Sequence, residues 1–218
     1  MNWLSDFWRT LQAADKHLDD RRAWGRFIHA EIISRIRGPI RRVIDYGCGG
    51  GWVSMHFPAD AEIILVDIDP GVLTTAERRL RRTGHGKVGM ILLDGEPSKK
   101  PFASLSGAVD VLVCTMVIPH FPGCEYFEGV VGAWKAIGPQ YIALSTRWAP
   151  KTAGRSDEAE YKTRYGQGLL LASDDVRELF AAAGYDELYH FREAGAVKRW
   201  GTEGYEYWLF ARTPGSGA

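Results

Sequence analysis

The sequence has few cysteines, no excess of either charge and no long apolar run, and each shortage excludes something. Its three cysteines, Cys48, Cys114 and Cys124, are odd in number and show no Cys-x-x-Cys spacing. A disulfide framework and a thiolate zinc site are therefore not expected. The six histidines are scattered, so no metal ligand set is expected either. Lys and Arg number 27, as do Asp and Glu. With no net field to attract polyanions, this balance disfavours a dedicated nucleic-acid binder. No stretch approaches the roughly 20 apolar residues that span a bilayer. Residues 1–10 mix aromatics with Asp6 and Arg9, unlike the basic-then-apolar run of a signal peptide. The expectation is a chain with no membrane segment, working in a reducing cytoplasm.

What is present suits one globular core. The chain has 218 residues, 45% hydrophobic and 25% charged, and at this size folding buries roughly 70% of the surface of the unfolded chain. Trp3, Leu4, Phe7, Trp8 and Leu11, then Trp24, Phe27, Ile28, Ile32 and Ile36, have the spacing of one helical face in each of two segments. Short β-rich runs follow at 42–46, 62–67, 89–93, 109–115, 141–146, 187–191 and 205–212. Helical segments between them mark βαβ units and a parallel sheet. One helix covers 70–82 and opens on Pro70; a second carries Phe127, Val130, Val131, Trp134 and Ile137. A third is expected to start with Ser173 as N-cap and to stop at Gly184. The reading divides the chain into a helical extension at 1–40, an α/β domain at 41–212 and a Pro/Gly/Ser tail at 213–218. Residues 148–168, polar and rich in Tyr, Arg and Lys, form a loop long enough to be a functional lid.

The first strand runs straight into glycines: Val43-Ile44-Asp45-Tyr46-Gly47-Cys48-Gly49-Gly50-Gly51. At the carboxyl end of a parallel strand, such a turn lets a ligand lie against bare backbone. A dinucleotide fingerprint starting at Gly47 requires Gly or Ala at position 52, where Trp stands. The run fits Asp-x-Gly-x-Gly-x-Gly instead, through Asp45, Gly47, Gly49 and Gly51. It is similar to motif I of the class I S-adenosylmethionine-dependent methyltransferases. Three further places extend the likeness: Asp67 at the end of the second strand, Asp94-Gly95 at the end of the third, and Thr115 at the end of the fourth, before Val117-Ile118-Pro119-His120-Phe121.

The resemblance implies a Rossmann-like seven-stranded fold, mainly parallel with an antiparallel last strand and helices on both faces, with S-adenosylmethionine as cofactor. It assigns the turn of Asp45, Gly47, Cys48, Gly49 and Gly51 to the methionine moiety. Asp67 is assigned to the ribose hydroxyls with Asp69 as rival, Ile68 to the adenine ring, Asp94 with Gly95 to the adenine amino group, and Thr115 to the methyl end. An aspartate before glycine is also a common turn residue, which is the competing reading of Asp94.

Methyl transfer from a sulfonium is an in-line displacement, so the protein mainly aligns the partners and excludes water. A base is needed only if the acceptor loses a proton. His120, after the fourth strand, is the candidate, with an imidazole expected to titrate near neutrality; a turn-capping histidine is the plain alternative. Arg147 and Trp148, at the end of the fifth strand, offer a guanidinium fork and an apolar wall to the acceptor. Tyr161 and Tyr165 on the long loop are further acceptor candidates. The run Arg78-Arg79-Leu80-Arg81-Arg82 is read as cations complementing a helix dipole. The expected reaction is methylation of an oxygen or nitrogen of a small molecule, with the N-terminal helices as cover, acceptor wall or homo-oligomer contact. Rival readings are a peptide or RNA acceptor, an NAD-type oxidoreductase and a noncatalytic cofactor-binding protein.

Overall fold

The computed structural model describes residues 18–97, 100–105, 109–147, 169–192 and 205–215. Its strands are β1 (Arg42–Tyr46), β2 (Glu62–Asp67), β3 (Val88–Leu92), β4 (Val111–Cys114), β5 (Tyr141–Arg147), β6 (Tyr185–Arg192) and β7 (Tyr205–Arg212). Its helices are α1 (Leu18–Glu31), α2 (Pro70–Arg82), α3 (Cys124–Ile137) and α4 (Ser173–Ala182). The strands form one sheet in the order β3-β2-β1-β4-β5-β7-β6. Among the described pairings, β1 runs parallel to β2 and β4, and β2 to β3. The last strand, β7, runs antiparallel to β5 and β6. This is the seven-stranded, mainly parallel fold that the sequence implies.

The chain divides into two compact units, the first made of residues 1–96 and 109–113, the second of 97–108 and 114–218. In the first, β1 and β2 are near-continuous apolar runs: Val43, Ile44, Ile63 and Leu65 are fully buried. Strands buried on both faces read this way. The Asp110 carboxylate accepts from the Arg41 and Arg42 backbone N–H groups at 2.7 and 2.8 Å, fixing the start of β1 beside β4. Helix α2 begins because Pro70 suits the first turn and Asp69 accepts from the Gly71 and Val72 N–H groups at 2.7 and 3.2 Å. It buries Val72, Leu73, Ala76 and Leu80.

The core of the second unit is aromatic. Helix α3 buries Phe127, Val130, Val131, Trp134 and Ile137 and ends where Gly138 takes the left-handed conformation at φ +67. Phe180 of α4 stacks on Phe210 of β7 with ring centroids 4.2 Å apart. The β6–β7 register places Arg192 opposite Glu206 and shifts between Glu187 and Tyr189, leaving Leu188 54% exposed at the irregularity.

One local expectation is corrected. Ser173 is the first residue of α4 and does not cap it: Ala172 holds that place with no side-chain bond. The Ser173 hydroxyl donates to Glu206 Oε1 at 2.7 Å instead, on a strand 33 residues away. Among the described residues, no helix is long and apolar enough to cross a membrane, and no three His, Cys, Asp or Glu side chains are grouped to hold a metal.

Candidate functional site

In the first unit the glycine turn forms because the backbone must reverse at the end of β1 without side chains in the way. Gly47, Gly49 and Gly51 have φ of +69, +48 and +71, which residues with a Cβ rarely adopt. The Gly47 and Cys48 N–H groups donate to the Val66 carbonyl at 2.7 and 3.0 Å, tying the turn to the end of β2. A Cβ on Gly51 would stand 3.3 Å from that of Ala76, so α2 packs directly against the turn.

Three carboxylates of this unit lie at strand ends, in different environments. Asp45 is buried beneath the turn, and its Oδ2 accepts from the Ser54 hydroxyl at 2.5 Å. Burial pushes it up to about 7; the Ser54 bond opposes that shift and the nearby Asp67 charge adds to it. Asp67 Oδ2 accepts from the Gly49 N–H at 3.1 Å, and its Oδ1 from those of Ile68 and Asp69 at 2.8 and 3.2 Å. Its carboxyl is also raised by burial, against those three bonds. Asp94 is exposed at the end of β3, where its Oδ1 accepts from the Glu96 N–H at 3.1 Å beside Gly95, at φ +92. This is the turn geometry of its competing reading. Asp69, the rival of Asp67, is committed to capping α2 and is 2% exposed. Ile68 is half-buried beside Asp67.

Cys48 is buried in the turn and its thiol is pushed well up, by desolvation first and by the Asp45 and Asp67 charges next. That environment disfavours a thiolate nucleophile. Two residues to which the sequence reading gave other roles brace the turn. The Arg79 guanidinium lies 3.5 Å from the centroid of the Trp52 ring and donates to the Gly50 carbonyl. This arginine is thus more than a dipole complement at the end of α2. The signal was there in Trp52, the large residue that breaks the dinucleotide fingerprint.

In the second unit, Thr115 and Met116 follow β4. Met116 is the one residue other than glycine with positive φ among the described residues, at +62, and its N–H donates to the Ser145 hydroxyl at 2.8 Å. Ser145, on β5, is fully buried. His120 ends a short 3-10 turn at Ile118–His120. Burial, with a smaller push from the Arg147 charge, lowers its imidazole to about 4. The expectation of near-neutral titration is therefore corrected: desolvation disfavours the cation. Arg147 Nε and Nη2 both donate to the Tyr205 hydroxyl at 3.2 Å, across the β5–β7 pair. Trp148, Tyr161 and Tyr165 lie outside the described residues.

Known proteins resemble this chain in sequence and in fold. Residues 43–136 match the family described as a methyltransferase domain. An uncharacterised methyltransferase of Emericella nidulans is 30% identical over 110 residues, covering 41% of this chain and 36% of the relative, so the chain spans about a third of that protein. The magnesium protoporphyrin IX methyltransferase of Synechocystis, solved with bound SAH, superposes at a TM-score of 0.65 and 18% identity, covering 88% of this chain and 83% of that one. A (4+2)-cyclase superposes at 0.64 and 13% identity, covering 88% and 80%. At such identities the likenesses establish the fold and leave the reaction to the site.

Proposed function

We propose that this chain, whose residues 43–136 match the methyltransferase domain family, is a class I methyltransferase that transfers a methyl group from S-adenosylmethionine to an oxygen or nitrogen of a small molecule. The observation that carries the reading is the positive-φ glycine turn whose Gly49 N–H is held by the Asp67 carboxylate. Bare backbone on one side and a carboxylate on the other suit a ligand with an amino-acid end and a ribose diol.

The cofactor fits these residues. Gly47, Cys48, Gly49 and Gly51 would hold its methionine end, Asp67 its ribose hydroxyls, Ile68 its adenine face, and Asp94 with Gly95 its adenine amino group. Asp45 shapes the turn from beneath through Ser54. The cofactor supplies an electrophilic methyl on a sulfonium. Ser145 holds Met116, and through it the backbone after Thr115, in one conformation for the acceptor to meet. His120 stays neutral over the working pH range, so its ring can accept a proton without first losing one. Arg147, steadied by Tyr205, offers its guanidinium to an acidic group on the acceptor. A small acceptor accords with the zero net charge, and Cys48 and Cys114, buried as cysteines rather than joined in a disulfide, accord with a reducing cytoplasm.

The test is a calorimetric titration with S-adenosylmethionine, S-adenosylhomocysteine and NADH, on the wild type and on Asp67→Ala. The first two are expected to bind and NADH not, with affinity in the variant at least about tenfold lower because hydrogen bonds to a charged group are lost. Binding of NADH alone would overturn the reading.

A further inference from the structure

Trp52 joins two helices of the first unit. Its backbone carbonyl touches α1 so closely that a Cβ on Gly25 would stand 2.1 Å from it. Its ring lies under the Arg79 guanidinium of α2. Arg22 precedes Gly25 by three residues, and Arg82 follows Arg79 by three. On a helix, residues three apart share a face. The two helices therefore bring Arg22, Arg79 and Arg82 together beside the glycine turn.

No carboxylate among the described residues pairs with these three. Arg22 and Arg82 are exposed, and their side chains make no hydrogen bond or ion pair with any described residue. Arg79, half-buried, is bonded to the Gly50 carbonyl. Arg81 and Arg35 are paired, with Glu77 at 2.9 Å and Glu31 at 3.7 Å, while Arg26 and Arg78 on α1 and α2 have no carboxylate partner among the described residues either; what sets Arg22, Arg79 and Arg82 apart is that they neighbour one another. The guanidinium of Arg79 is held well before any ligand arrives, because stacking on the indole fixes its plane and the Gly50 bond fixes one of its nitrogens. Its pKa is lowered by burial first, then by the charges of Arg21, Arg22 and Arg82, so the fold has collected like charges around a guanidinium that stays charged.

We propose that Arg22, Arg79 and Arg82 form a binding site for the phosphate group of a small molecule. Three planar donors from two helices match a tetrahedral dianion, whose oxygens each accept charge-assisted hydrogen bonds. S-adenosylmethionine carries no phosphate, so this site is separate from the one proposed for the cofactor. Its ligand is either inorganic or a phosphorylated metabolite. A polynucleotide is disfavoured by the zero net charge of the whole chain.

The test titrates the full chain with inorganic phosphate, inorganic pyrophosphate and a single-stranded oligoribonucleotide, comparing the wild type with the double variant Arg22→Gln/Arg82→Gln. Both substituted residues are exposed, so the fold is kept, and S-adenosylhomocysteine titrated in parallel reads the cofactor site separately. Phosphate or pyrophosphate is expected to bind the wild type saturably and the variant at least about tenfold more weakly. S-adenosylhomocysteine affinity is expected to be unchanged. If phosphate binds the better of the two inorganic probes, the ligand is a monoester or free phosphate; if pyrophosphate does, it is a diphosphate. Equal affinity in both proteins, or no saturation in the wild type, would overturn the proposal. So would tighter oligoribonucleotide binding with a salt slope beyond that of three neutralised phosphates, which would assign the patch to RNA.

Discussion

Two buried titratable groups set how single residues respond to pH. Asp45 has its folded-state pKa raised to about 7 from an unfolded value near 4. The folded chain therefore binds this proton more tightly than the unfolded chain. The associated stability is complete below about pH 4 and is lost as pH rises through about 7, a loss on the order of 4 kcal/mol for a fully buried carboxyl. Asp45→Asn keeps an acceptor for Ser54 and removes the titration. Its melting temperature relative to wild type should rise from pH 4 to pH 8; a constant difference would show that Asp45 is not buried as an acid. His120 shifts the opposite way, to about 4. If it takes the acceptor's proton, the acid limb of kcat/KM should fall near pH 4 and not near 6.5. His120→Gln should then slow transfer by about 100-fold while leaving S-adenosylhomocysteine affinity unchanged. An acid limb near 6.5 in both proteins would remove His120 from the reaction.

Elements were more legible in the sequence than their mutual contacts. The expected bounds of β1, β2, β7 and α2 match those of the structure, and β3 and β4 differ by one or two residues at their ends. Local signals were strong there: continuous β-branched runs for buried strands, and Asp69-Pro70 opening α2. The glycine turn was legible for the same reason, since backbone freedom is written in composition. Ser173, Arg79, Ser145 and Tyr205 were misread or passed over, because the first belongs to Glu206, the second to Trp52, the third to Met116 and the fourth to Arg147. Each partner is far along the chain, and local spacing carries no trace of it. The same distinction separates two helical glycines. A Cβ added to Gly132 in α3 would meet nothing within 4 Å, so Gly132→Ala should stabilise by about 0.5–1 kcal/mol through helix propensity. Gly25 in α1 faces the Trp52 carbonyl, which a Cβ there would meet at 2.1 Å, so Gly25→Ala should lose that gain and cost about 1–3 kcal/mol as the helix shifts. Chemical denaturation of the two variants measures both; equal signs would mean that α1 does not rest on Trp52.

At the scale of the whole molecule, the division into two compact units bears on how ligand binding is felt. The proposed cofactor contacts at Gly47, Gly49, Gly51, Asp67 and Asp94 all belong to the first unit, whereas the fully buried Trp134 and Trp208 belong to the second. If strand pairing makes unfolding a single cooperative event, a ligand that binds the first unit raises the melting temperature reported by the second. At about 100 times its Kd, S-adenosylhomocysteine stabilises the folded state by about 2.7 kcal/mol, which for a chain of this length shifts the transition by roughly 5–10 °C. The Trp134 and Trp208 indole proton resonances and the far-ultraviolet signal of the backbone should report transitions that move together by that amount, and NADH should move neither. A tryptophan signal that stays in place while part of the backbone signal shifts would mean that the units unfold separately, and the cofactor would then stabilise only the unit whose residues hold it.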